Sequence, residues 1–109
     1  DVTRRKNAEK LGKEFQSGDC HAGRYESSLV LAADPDSVRD RERRALPPVR
    51  IDLLEKVKAG VESFRKAGAE RAYCGDPAAA SASEGEELIE RLSDLILSAC
   101  RETWPDLFA

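Results

Sequence analysis

Reactive side chains are scarce in this sequence: one histidine, His21, stands alongside three cysteines, one tryptophan and no methionine. A single histidine excludes the imidazole-rich metal sites. Cys20, Cys74 and Cys100 lie at wide, unrelated spacings with no Cys-x-x-Cys pair, so a structural zinc set cannot be completed either. Unpatterned and odd in number, they read as reduced thiols in a cytoplasmic protein. No apolar run approaches the roughly 20 residues needed to cross a bilayer. The charged start at 1–6 has no apolar region behind it, so no secretory signal is expected. The first residue is Asp rather than Met, which predicts a processed or partial product. Beyond Val2-Thr3 no two β-branched residues are adjacent, and at most two short segments could be strands. A sheet built by this sequence alone is not expected.

What is present suits one water-facing domain with a modest core: 109 residues, 40% apolar and 36% charged. A net charge of −3 gives no general attraction to nucleic acid or to an anionic membrane. The spacing of Ala8, Leu11 and Phe15 predicts a short helix over 3–16, ended by Ser17-Gly18. A second short helix is predicted over 25–33, although Leu29-Val30-Leu31 also fits a buried strand. Signs alternate through 36–46, and acids interrupt the arginines at 41–44, so a solvated loop or short helix is expected there. Leu54, Val57, Val61 and Phe64 predict a helix over 51–67, with Asp52 in its first turn and Gly68 closing it. Tyr73-Cys74 is the best strand candidate. Gly75-Asp76-Pro77 reads as a turn, after which Ser81 or Ser83 caps a last helix running to about Thr103. That helix presents Leu88, Leu92, Leu95, Ile96, Ala99 and Cys100 on one side, and Trp104-Pro105 ends it.

The candidate chemistry concentrates at 18–31, in Gly18-Asp19-Cys20-His21-Ala22-Gly23 and the apolar run behind it. Glycines on both sides of His21 allow a sharp turn and close approach to a ligand. An imidazole can give or take a proton near neutral pH, which amide cleavage needs because the nitrogen must leave protonated. On the residues alone, a lone histidine in a turn also suits a purely structural role. Asp19 could polarise His21 or close an Asx-turn. Glu26 could act in the site or accept backbone N–H groups at a helix start. A nucleophilic Cys20 is disfavoured, because adjacent side chains diverge. The Gly75-Asp76-Pro77 turn lacks the glycine spacing of a nucleotide loop and reads as a packing turn.

Two of these segments together carry a family resemblance. His21-Ala22-Gly23-Arg24-Tyr25-Glu26-Ser27-Ser28 resembles the His-Ala/Gly-Gly-x-x-Glu-Thr-Ser motif of the creatininase family of metal-dependent amidohydrolases. Ser27 replaces the usual threonine, and Cys20 stands where some members have a second carboxylate. The stretch from Gly75-Asp76-Pro77 to Gly85-Glu86 is similar to the family's Gly-Asp-Pro-x-x-Ala-Ser/Thr-x-x-x-Gly-Glu segment, in the family's order and at about its spacing.

The resemblance implies an α/β fold, the layered α/β/α creatininase-like domain, with residues 1–109 as its helix-rich C-terminal part. It implies hydrolysis of a C–N bond in a small cyclic or linear amide. His21, Asp19 and Glu26 would be the catalytic candidates, and Gly18, Cys20 and Gly23 would form the substrate-binding wall. The family's Glu, His, Asp and His metal ligands and its Asn-Gly-His segment have no counterpart in these residues. Zn or Mn is therefore expected in the intact enzyme and no metal on this chain alone. The implied partners are the N-terminal half of the same domain and further copies in a homo-oligomer. The rival expectation is a non-catalytic helical interaction module, motivated by the amphipathic face at 88–100.

Overall fold

The computed structural model describes residues 1–2, 4–18 and 21–109. Its described elements are almost all helical. In chain order they are α1 (Arg5–Ala8), α2 (Lys13–Gln16), α3 (Arg24–Ala33), α4 (Asp40–Arg44), α5 (Leu53–Lys58), α6 (Phe64–Ala67) and α7 (Ala82–Thr103). Single 3-10 turns at Pro35–Ser37, Pro77–Ala79 and Pro105–Phe108 each begin at a proline, whose fixed φ suits the first position of a helical turn.

No strand forms among the described residues. In its place are two isolated antiparallel bridges, His21 with Cys74 and Val49 with Gly75. The N–H of Cys74 donates to the carbonyl of His21 at 2.9 Å, and Val49 and Gly75 exchange both of their bonds, at 2.9 and 2.7 Å. The segment at 74–75 is thus held from two sides. Tyr73-Cys74, expected as a strand, contributes only this single point of pairing.

The helical spacings located the ordered segments but overestimated their continuity. The helix expected over 3–16 is two separate turns, because Gly12 adopts φ +100° between them and becomes the N-cap of α2. Ala8 and Leu11 still reach the core. The helix expected over 51–67 is likewise broken. Gly60, at φ +80°, follows the end of α5, and Ser63 starts α6 by accepting the N–H of Lys66 at 3.2 Å. The apolar spacing had been read across Gly60, yet Leu54, Val57 and Phe64 are exposed, so little burial opposes the break. Asp52 is the N-cap of α5, accepting from Glu55 at 2.9 Å, and Gly68 closes α6 in the left-handed region.

The long contact of the molecule is α3 against α7. At its crossing, a Cβ built on Gly85 would lie 1.9 Å from the carbonyl oxygen of Ser28, so only glycine permits this approach. Ser28 is fully buried, and its hydroxyl accepts the N–H of Ser81 at 3.2 Å. Ser81 in turn caps α7 by accepting from Glu84, which settles the choice between Ser81 and Ser83. An ion pair from Arg24 to Glu84 at 2.7 Å joins the two helices at their N-terminal ends. The buried apolar residues include Leu11, Ala69, Tyr73, Cys74, Pro77 and Leu88.

The segment at 36–46, expected as a solvated loop or short helix, does form the short helix α4 and is mostly exposed, but it holds one buried cation. Arg43 on α4 is only 9% exposed. Its guanidinium donates to the carbonyls of Pro77, Ala78 and Ala80 at 2.7, 3.1 and 3.3 Å, and to Asp40 at 2.6 Å. The hydrogen bond from Arg43 holds the Asp40 carboxyl below its ordinary range. Only the burial of Arg43 departs from that expectation, because sign alternation cannot show that three carbonyls of a distant turn converge on one guanidinium.

The molecule is a slab of 50 × 36 × 19 Å. Its radius of gyration is 15.7 Å, against about 13 Å for a compact domain near this length. The outer part of α7 and the turn after it leave Ile96, Trp104 and Leu107 at 64, 56 and 77% exposure. No described helix is long and apolar enough to cross a membrane.

Candidate active site

The site is best built outward from the segment that enters α3. His21 is half-buried, and its backbone carbonyl is fixed by Cys74. The imidazole stacks on Phe64, with ring centroids 4.5 Å apart and planes 16° from parallel. Ala22 follows at φ +51°, a left-handed conformation uncommon for a residue with a Cβ. Glu26 accounts for it. Located in the first turn of α3, it turns its carboxylate back to accept the N–H of Ala22. Of the two roles open to Glu26 from sequence, the backbone-bonding one is therefore present. Glu26 also lines a neighbouring cleft of about 850 Å³, together with Ala22, Ser27, Arg39, Arg71 and Tyr73 among others.

Gly23 is the buried N-cap of α3. A Cβ there would lie 2.4 Å from a Glu14 carboxylate oxygen and 2.6 Å from the carbonyl oxygen of Cys74. Gly18 is also buried, at φ +86°, and a Cβ on it would lie 2.5 Å from the Asp52 carboxylate. Its carbonyl accepts the N–H of Leu53 at 3.2 Å, tying this end of the segment to the start of α5. Both glycines are thus required by close approach of neighbouring groups. Asp19 and Cys20, the other two predicted site residues of this segment, lie outside the described residues.

The second motif segment meets the first in space. Gly75 takes φ +100°, and Asp76 caps the 3-10 turn at Pro77–Ala79 by accepting from Ala79 at 3.3 Å. Arg43 holds the carbonyls of that turn from the far side. Between the two motifs lies a residue that periodicity and motif reading did not single out, Glu14 on α2. One of its oxygens accepts from the N–H of Tyr25 at 3.2 Å and the other from the N–H of Asp76 at 2.7 Å. The usable sequence signal was indirect: each motif carries a glycine, Gly23 or Gly75, where a Cβ would strike this carboxylate.

Electrostatics around α3 follow from these contacts. Arg24 is raised above its ordinary value chiefly by its hydrogen bond to Glu84, with smaller help from Glu14 and Asp76. Burial, and secondarily the charge of Glu26, raise the Tyr25 phenol.

Among the described residues no group of three or more His, Cys, Asp or Glu is placed to hold a metal ion. These residues by themselves do not fit a divalent-metal centre. What the arrangement can offer is a half-buried imidazole on a braced turn, held against a second braced turn.

No curated protein and no solved structure matches this chain. A family model described as creatinine amidohydrolase matches residues 1–100. With both motifs inside that span and brought together by the His21–Cys74 bridge, the chain belongs to the creatininase family.

Proposed function

We propose that this chain supplies the histidine-bearing side of an amidohydrolase centre that cleaves a C–N bond in a small cyclic or linear amide. The observation that carries the reading is the meeting of the two motif segments: Cys74, beside Gly75, bonds the backbone of His21. That contact supports a working role for the turn, because both segments are braced around one imidazole that is not sealed in the core. His21 would deliver a proton to the departing nitrogen, a role worth about 10²–10⁴-fold in rate for a positioned acid. Asp19 would polarise the imidazole. Glu26 would act by holding Ala22 and by facing the adjacent cleft, and Gly18, Cys20 and Gly23 would shape the pocket wall.

On the same reading residues 1–109 are the C-terminal part of a layered α/β/α domain. Its sheet and its Zn or Mn ligands would belong to an N-terminal half, and the assembled enzyme would be a cytoplasmic homo-oligomer. The flatness of the molecule and its exposed apolar side chains support a chain that packs against further protein.

The test is to pair the chain with its N-terminal half, supply Zn²⁺ or Mn²⁺, and assay amide hydrolysis with and without His21→Ala. Loss of turnover in the variant is the expected result. Unchanged turnover would remove His21 from the mechanism.

A second reading, a non-catalytic helical interaction module, draws on the exposed apolar end of α7. Thermal melting followed by circular dichroism separates the two. A cooperative, monomeric isolated chain favours the module, and a loose or associating one favours the amidohydrolase part.

A further inference from the structure

We propose that Glu14 is a positioning residue for His21, a carboxylate latch that fixes the two motif turns relative to one another. Each of its oxygens is committed to a different turn: one to Tyr25 N–H at the start of α3, the other to Asp76 N–H. An ordinary helix-start carboxylate would serve one terminus only. Here the partners are far apart in the chain, and the carboxylate sits in a slot left by two absent side chains. A Cβ on Gly23 would lie 2.4 Å from it, and a Cβ on Gly75 2.5 Å.

The latch reaches the imidazole by two short routes. From Tyr25 the chain runs back through Gly23 and Ala22 to His21. From Asp76 it runs back through Gly75 to Cys74, whose N–H holds the His21 carbonyl at 2.9 Å. The arm itself is anchored, because Phe15, next to Glu14, packs on Tyr25 with ring centroids 4.8 Å apart. Moving the carboxylate therefore loosens both supports of the histidine at once, and with them the stacking of its ring on Phe64.

Glutamine is the informative replacement. Its one carbonyl oxygen can satisfy one N–H, and its amide group presents hydrogens to the other. The functional meaning rests on the amidohydrolase reading, but the test does not require turnover. His21 is the only histidine, so its ring protons are identifiable without ambiguity in the NMR spectrum of the full chain. In Glu14→Gln the expected result is displaced Tyr25 and Asp76 amide signals and loss of the Phe64 ring-current shift on His21. Signals from Leu88, buried at the α3–α7 crossing, should stay in place as the control for folding.

Glu14→Asp is the second variant, to be read alone if the glutamine chain does not fold. It keeps both acceptors on a shorter arm, so the same His21 displacement is expected at smaller size. A His21 signal identical to wild type in a folded variant whose Tyr25 and Asp76 amides have moved overturns the proposal. Such a result would leave the amidohydrolase reading intact, and failure of the His21→Ala assay would in turn leave this geometry standing.

Discussion

Arg43 shows how one side chain can organise a turn built from other residues. Its guanidinium donates to three carbonyls of the segment that follows Gly75. Arg43→Ala should lower stability by about 1–3 kcal/mol, the usual cost of stranding a buried acceptor. Urea unfolding followed by circular dichroism measures it. Arg43→Lys should recover little, because an ammonium cannot present the planar fork that reaches both Asp40 and the carbonyls. The Asp40 partner gives a pH signature. Its folded pKa is depressed by Arg43, so its contribution is present above the unfolded value of about 3.9 and fades as pH falls through the lower folded one. The melting temperature of Asp40→Asn should therefore fall less steeply than wild type below about pH 4, and coincident acid limbs would show that the pair contributes nothing. The arginines at 41–44 could be read from sequence as charged and interrupted by acids. Which of them would be buried depended on carbonyls more than thirty residues away.

At the scale of the elements, the α3–α7 crossing decides where the histidine turn sits. Gly85 is the contact point, and two effects oppose each other on its replacement by alanine. Intrinsic helix propensity favours alanine by about 1 kcal/mol. Against that, the new methyl would lie 1.9 Å from a backbone oxygen, so the helices must separate or shift, a cost of about 1–3 kcal/mol. The clash is with rigid backbone, so the second effect should win. Gly85→Ala is expected to lower the melting temperature, and a raised one would mean that the crossing is looser than described. The same accounting explains the two broken helices. Apolar spacing marked their turns correctly, but it does not register a glycine in the left-handed region such as Gly12 or Gly60. The α7 assignment succeeded because the helix is long enough to carry its own signal and Trp104-Pro105 ends it, whereas at Leu29-Val30-Leu31 the structure chose helix over the strand that the short apolar run also allowed.

For the whole molecule, the dominant fact is unburied apolar surface on a thin body. Ile96 and Leu107 stand well exposed, and Trp104 and Phe108 lie near them in sequence. Patches of this kind on a small protein drive association. The isolated chain should self-associate with rising concentration, and Ile96→Glu combined with Leu107→Glu should shift it toward monomer in sedimentation velocity. A chain that stays monomeric at high concentration without these changes would instead favour the free-standing module.

The sequence by itself determined the local matters: which residues could form helical turns, that Gly68 would close one of them and a serine at 81 or 83 would start another, and which short motifs mark the family. Those are settled by near-neighbour sterics and hydrogen bonding, and they survive in any context. Only the tertiary structure decided that Glu14 and Arg43 would leave solvent to hold distant turns, and that Cys74 would bond His21. Such contacts depend on closing long loops, and their cost and reward are set by the packing of α3 on α7 rather than by anything within one segment.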